Sequence, residues 1–209
     1  VVSSNTNVSI GAAGTATRTI QDDDVVIPAI IISEVADPND NSNARFVELY
    51  NATDSTIDLA AGSWSLVKYV QTGTISVVEL TGSITSGGTY VVAMSQSNFT
   101  TAYGQSPDQS DGDISGNGDD SYALFFNGNN ITGTLVDLYG DIGDGTGGID
   151  GTSTEWEYED GRAVRNADIT SPDESFTRSE WVVYNDSAST TGSSGIANVA
   201  DMTPGVHPD

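Results

Sequence analysis

The densest oxygen chemistry in the sequence is the run Asp111-Gly-Asp113-Ile-Ser115-Gly116, with Asp108 just before it and Asp119 just after. Oxygen side chains alternate, a glycine takes the sixth position, and Asp119 falls at the ninth. This is the first half of an EF-hand-like loop, in which alternating carboxylates converge on one hard cation. The twelfth position is Tyr122 rather than Glu, so the bidentate ligand that completes such a loop is missing. The spacing therefore predicts a looser calcium site built from Asp108, Asp111, Asp113, Ser115 and Asp119. The same Asp and Gly residues also make plain solvated turns. Two further acidic groups read more readily as solvated loop than as ligands. One is Asp137, Asp141, Asp144 and Asp150 in Gly-rich backbone; the other is the triplet Asp22-Asp-Asp24.

Catalytic chemistry finds little support. The chain has no Cys, and its one His, His207, stands near the end in a tail flanked by proline. A Ser-His-Asp triad would rest on that terminal residue. No glycine loop ends in Gly-Lys-Ser/Thr, so a phosphate-cradling P-loop is absent. Glu155, Glu157 and Glu159 around Trp156 resemble a glycosidase cleft only in composition, and a charged strand face is the much stronger reading. Arg162 and Arg165 are expected to pair with nearby acids.

Thirty acidic residues stand against six basic ones, for a formal charge of −24. Phosphate binding needs clustered Lys and Arg, so nucleic acid is not an expected partner. Such a surface suits a strongly solvated or cation-rich setting. Without Cys there are no disulfides, and stability must come from the core and from bound ions. No apolar run is long enough to insert in a membrane; the best, Val25 to Ile32, is broken by Pro28. Sequons at Asn7, Asn51, Asn98, Asn130 and Asn185, with Asp54-Ser-Thr and Asp186-Ser-Ala, agree with an extracellular or cell-surface location.

The elements that must position these residues are short strands. Ile30–Val35 opens the series. In Phe46-Val-Glu-Leu-Tyr50, Phe46, Glu48 and Tyr50 share one face, and Val47 and Leu49 share the other. The turn cluster Asn51–Ser55 stops that strand. Trp64 and Leu66 then share a face, and Ile75–Leu80, Thr89–Met94, Tyr122–Phe126 and Leu135–Tyr139 extend the pattern. Asn127-Gly128 is expected to close a tight hairpin. Ser97–Gly104 is expected to form one helical turn, and 105–120 and 140–152 to be loops. Glu155-Trp-Glu-Tyr-Glu159 alternates as a strand with Trp156 and Tyr158 inward and three Glu outward. Trp181–Tyr184 is a last strand, and Ser187–Gly195 a flexible tract.

Phe46-Val-Glu-Leu-Tyr-Asn51, Asp58-Leu59, Trp64-Ser-Leu66, Ile84–Ala93 and Gly118-Asp-Asp-Ser-Tyr-Ala-Leu124 resemble, in that order, the lamin-tail domain. The likeness is fullest over about residues 29–140. It continues more loosely through Trp156, Arg165, Trp181 and Thr203-Pro-Gly205. The resemblance implies an all-β, immunoglobulin-like β-sandwich that binds partners rather than catalysing reactions. Separately, Thr15–Asp24 resembles the closing strand of a Calx-beta domain, with Arg18 where an apolar residue is more usual.

The expected organisation is an N-terminal strand segment, residues 1–28, followed by one sandwich with a C-terminal extension, residues 29–209. The expected role is a non-catalytic structural or adhesive module of a bacterial extracellular protein. Its expected partners are other copies of itself or neighbouring domains, and the N-terminal strand would add to an open sheet edge and build a filament. The alternative is an accessory module of a secreted nuclease or phosphatase with its catalytic domain elsewhere.

Overall fold

The computed structural model describes residues 26–186 and 195–207. Its strands are β1 (Ile30–Ala36), β2 (Phe46–Asn51), β3 (Ile57–Asp58), β4 (Ser65–Tyr69), β5 (Ile75–Glu79), β6 (Ser83–Ile84), β7 (Thr89–Ala93), β8 (Gln109–Ser110), β9 (Ser121–Phe126), β10 (Thr134–Tyr139), β11 (Arg162–Arg165) and β12 (Trp181–Tyr184). One helix, α1 (Gln96–Tyr103), follows β7. One sheet runs β12-β11-β1-β2-β7-β8 and the other β10-β9-β4-β5, with a small β3-β6 pair beside them. All pairings are antiparallel except β7 with β8. The expected all-β immunoglobulin-like sandwich is the fold. The N-terminal strand segment lies almost wholly, and the Ser/Thr/Gly tract mostly, outside the described residues.

The core sits between the sheets, as the alternation requires. Ile30, Ile32, Val35, Val47 and Leu49 from one sheet meet Trp64, Leu66, Tyr122, Leu124, Val136 and Tyr139 from the other. A β-bulge at Ser33 decides what β1 buries. Strict alternation from Ile30 and Ile32 would turn Glu34 into this core. The register slips between Ile32 and Glu34, so Val35 faces the core and Glu34 faces out.

The outer face of the larger sheet is also covered. Phe46 packs edge-on against Phe99 and Tyr103 of α1, and Ala197 and Met202 of the C-terminal segment join that cluster. This cover explains why Glu34 and Glu48 are buried. Glu34 accepts from Arg162 and from Thr203 Oγ1, while Glu48 accepts from Ser33 Oγ and from the Gly205 N–H. His207, placed by the sequence in a proline-flanked tail, lies buried against the Tyr50 ring, because this C-terminal segment docks on the sheet.

A buried ion group ties the sheets together. Asp137 of β10 points into the sandwich and accepts from Ile32 N beside the bulge, from Asp173 N, and from Arg165 of β11 at 2.6 and 2.8 Å. Arg165 also binds Glu180 and lies over the Trp181 ring at 5.0 Å. The expected acid partners of Arg162 and Arg165 are thus Glu34, Asp137 and Glu180.

Three local expectations are corrected. The helix has two turns rather than one. Ser95 caps its start, and Gly104, at φ 70°, closes it in the left-handed region. Asn127 and Gly128 do take positive φ, yet the β9–β10 connection runs through 127–133. Their N–H groups donate to Gly62 O and Ser63 O, so the turn docks on a neighbouring loop instead of closing a two-residue hairpin. Finally, 155–159 is not a strand. Trp156 and Tyr158 are buried as expected, but so is Glu157, whose carboxylate accepts from Ser153 N.

Candidate metal centre at the acidic end of the sandwich

One end of the sandwich collects the C-termini of β1, β4, β10 and β12 with the N-termini of β2, β9 and β11. Ala36 is opposite Phe46 and Arg162, Tyr184 is opposite Arg162, and Tyr69 is opposite Ser121. Two loops close this end, 111–120 ahead of β9 and 140–161 ahead of β11. They are stitched by Gly151 N to Asp119 O at 3.1 Å and Tyr158 N to Gly118 O at 2.9 Å. Gly118 is required here. Its φ is +97°, and a Cβ would meet the Glu159 backbone at 2.1 Å.

The cations that face these loops, Arg45 and Lys68, are already engaged. Arg45 binds Asp37 and the Ser115 carbonyl, and Lys68 Nζ, on the inward face of β4, donates to Ser115 Oγ at 2.7 Å. The acids around them are Asp119, Asp120, Asp150, Glu157, Glu159, Asp160 and Asp186. Burial pushes the Asp120 carboxyl up to about 6; Asp119 adds to the push, while Lys68, the Asn117 backbone and Arg45 oppose it. Asp119 is raised by burial and then by Asp150, and Glu159 by burial and then by Asp186, Glu157, Asp160 and Asp119.

The structure disperses the five residues of the predicted calcium loop. Asp108 Oδ2 accepts from Val91 N, which fixes the chain beside β7. Asp111 folds back on Asp113 N in a local turn. Ser115 faces the two cations just described. Asp119 belongs to the acidic end, with Oδ2 accepting from Gln71 Nε2 at 2.9 Å. Among the described residues, the carboxylates that meet in a group of three within 4.8 Å are Glu157, Glu159 and Asp186, not any three of Asp108, Asp111, Asp113 and Asp119.

Sequence reasoning passed over Asn117 and Asp120. The terminal atom of the Asn117 amide lies 2.5 Å from Asp119 Oδ1 and 3.3 Å from Asp120 Oδ2. Asp120 is only 3 % exposed, and its Oδ1 has no hydrogen-bond partner among the described residues. The available signal was an Asn-Gly-Asp-Asp string directly before an apolar strand, where the last two carboxylates must turn with the chain into the end of the core. Elsewhere, Asn51 and Asn185 are buried, which removes both as glycan acceptors. Among the described residues, no helix is long and apolar enough to cross a membrane.

Two sheets of this topology, joined by buried ion pairs and closed by loops, define an immunoglobulin-like β-sandwich module. The family model described as Lamin Tail Domain matches residues 26–142, more than half of the 209 residues, and the chain belongs to that family. No curated protein matches it.

Proposed function

We propose that this chain is a non-catalytic structural or adhesive module of a bacterial extracellular or cell-surface protein, stabilised by calcium. The observation that carries the non-catalytic part is how the buried ionisable groups are used. Asp137 is held by Arg165, Glu34 by Arg162 and Thr203, and Asp37 by Arg45, each bridging separate elements of the sandwich. Groups fixed in this way hold strands together and are poorly placed to exchange protons with a substrate. The calcium part is supported by the formal charge of −24 and by the crowding of carboxylates at one end. A cation bound only by the folded state would relieve that repulsion and stabilise by mass action.

The partners proposed are further copies of the chain or adjacent domains. β5 and β10 flank one sheet and β12 and β8 the other. The β10 edge is capped where Leu138 N donates to Asp173 O, so β5, β12 and β8 are the edges proposed for an added strand. Residues 1–24 would supply that strand, and a head-to-tail arrangement would grow as a filament. The test compares residues 1–209 with 25–209 by sedimentation and electron microscopy at high concentration. Assembly of the longer chain alone is the expected result; a monomer in both cases rejects strand addition. Turnover of nucleic acid, phosphate esters or glycans that is lost on replacing one carboxylate would reject the non-catalytic reading.

A further inference from the structure

We propose that Asn117, Asp119 and Asp120 form a site for one calcium-sized divalent cation at the acidic end of the sandwich, which deepens the calcium part of the function proposed above by giving the ion an address.

The geometry is that of two carboxylates converging on one amide group. The Asn117 amide stands 2.5 Å from Asp119 Oδ1 and 3.3 Å from Asp120 Oδ2. Without an ion, the orientation that satisfies both ends of the amide puts its nitrogen there, donating to both carboxylates. An ion between the carboxylates would take the amide with its oxygen turned inward, so that three oxygens coordinate it. Two observations favour the cation. First, Asp120 is 3 % exposed and keeps one oxygen, Oδ1, without any hydrogen-bond partner even when the amide nitrogen is turned towards it. A buried carboxylate oxygen left bare is costly, and a divalent ion held by both oxygens of Asp120 removes that cost. Second, no ion pair reaches Asp119 or Asp120 among the described residues, since the four ion pairs present join other acids to Arg45, Arg162 and Arg165. Lys68, from β4, and Arg45, ahead of β2, act on Asp120 only at longer range, being committed to Ser115 and Asp37.

The ligand set selects the class of ion. Two carboxylates and an amide oxygen are hard donors, which suit calcium or magnesium and not a soft metal. The donors sit on a loop beside an exposed Asn117, so solvent can reach the ion and water can complete its shell. Calcium accepts such irregular, partly hydrated sets, whereas magnesium demands near-octahedral geometry and gives up water reluctantly. Glu159, whose backbone abuts Gly118, adds negative potential without needing to be a ligand.

The test uses the whole chain, 1–209, freed of metal by chelator. Calcium chloride and magnesium chloride are titrated at constant ionic strength, with heat of binding and melting temperature as readouts. One calcium is expected to bind and raise the melting temperature by several degrees. Asp120→Asn and Asn117→Ala are each expected to weaken binding at least tenfold. Asn117 is exposed, so its replacement leaves the core intact, and near-ultraviolet circular dichroism confirms that both variants fold. If both variants keep the full calcium response and Asp111→Ala loses it, the calcium reading survives through the upstream loop and this site is wrong. If the wild-type chain neither binds calcium nor shifts its melting temperature, the site and the calcium reading both fall. Equal responses to magnesium and calcium would show diffuse charge screening and overturn the site as well.

Discussion

Asp137, inside β10, and Asp120, just ahead of β9, are both buried carboxylates, and burial pushes both up to about 6. They reach that value differently. Asp137 is fully buried, and Arg165 with two backbone N–H groups pulls it back towards the charged form. Asp120 has a second carboxylate beside it that adds to the push, and it is opposed by two cations committed elsewhere and the Asn117 backbone rather than by an ion pair. The first is a finished structural joint between two sheets. The second has the electrostatics of an incomplete one, and that difference separates a residue that holds the fold from a residue that awaits a ligand.

The largest effect should come from breaking the finished joint. Arg165→Leu leaves the buried Asp137 without its cationic partner between the sheets and should cost about 3–5 kcal/mol, measured by urea unfolding. Replacing both partners by Leu should recover only part of that loss, because Asp137→Leu removes the unpaired carboxylate but strands the Ile32 and Asp173 N–H groups that it accepted from. A single variant as stable as wild type, or a double variant worse than the single, would show that the pair acts otherwise. Next in size is Gly118→Ala. It forces a side chain onto a residue at φ +97° and against the Glu159 backbone, which should cost about 1–3 kcal/mol. Gly73, also at positive φ but with open space where a Cβ would stand, serves as the control and should cost less when changed to Ala.

Much of this architecture was legible in the sequence, for a physical reason. Period-two alternation records which side chains face the core, and that pattern located β1, β2, β4, β5, β7, β9, β10 and β12. It could not record the bulge at Ser33, because one extra residue reverses the alternation without altering composition. Nor could it separate 155–159 from a strand. Trp156 and Tyr158 alternate because two aromatic rings fill the end of the core, and the backbone beneath them turns. Arg162–Arg165 was read as charge and not as a strand, since its arginines are buried by partners more than a hundred residues away in one case and 28 in the other. The candidate site was half legible. Spacing drew attention to Asp119, but an EF-hand template looks upstream at Asp108, Asp111 and Asp113. The convergence found in space runs downstream to Asp120.

pH offers a way to sharpen the comparison through a third buried acid. Burial raises Glu34 from 4.5 to about 7, with Arg162 and Thr203 opposing. The folded state then binds more protons than the unfolded state between those two values. Stability contributed by the protonated form is therefore full below about 4.5 and is lost as pH rises through 7. Unfolding measured in chelator should show a decline on the order of 1–2 kcal/mol across that window, to which the raised Asp120 and Asp137 add below pH 6. Glu34→Gln removes the titration while keeping an oxygen to accept from Arg162, and should flatten the upper part of the profile. A stability that rises with pH, or a variant with an unchanged slope, would contradict the sign.

The smallest effect should be the most informative. Asp120→Asn in the presence of chelator removes a charge that has no cationic partner and sits beside another carboxylate. The loss of charge relieves repulsion from Asp119 and the desolvation of a buried anion. Against this, the amide must find acceptors for two new N–H groups, and the Asp119 carboxylate beside Asn117 supplies one. These terms oppose each other, so the metal-free variant should lie within about 1 kcal/mol of wild type, in contrast to the several lost at Arg165. Adding calcium should then separate the two proteins, because only wild type can gain from binding. At a hundredfold excess over the dissociation constant that gain is about 2.7 kcal/mol, and a domain of this size shows it as a shift of roughly 5–10 °C. If Asp120→Asn instead costs as much in chelator as Arg165→Leu, Asp120 is a finished joint like Asp137, and the distinction between the two regions collapses.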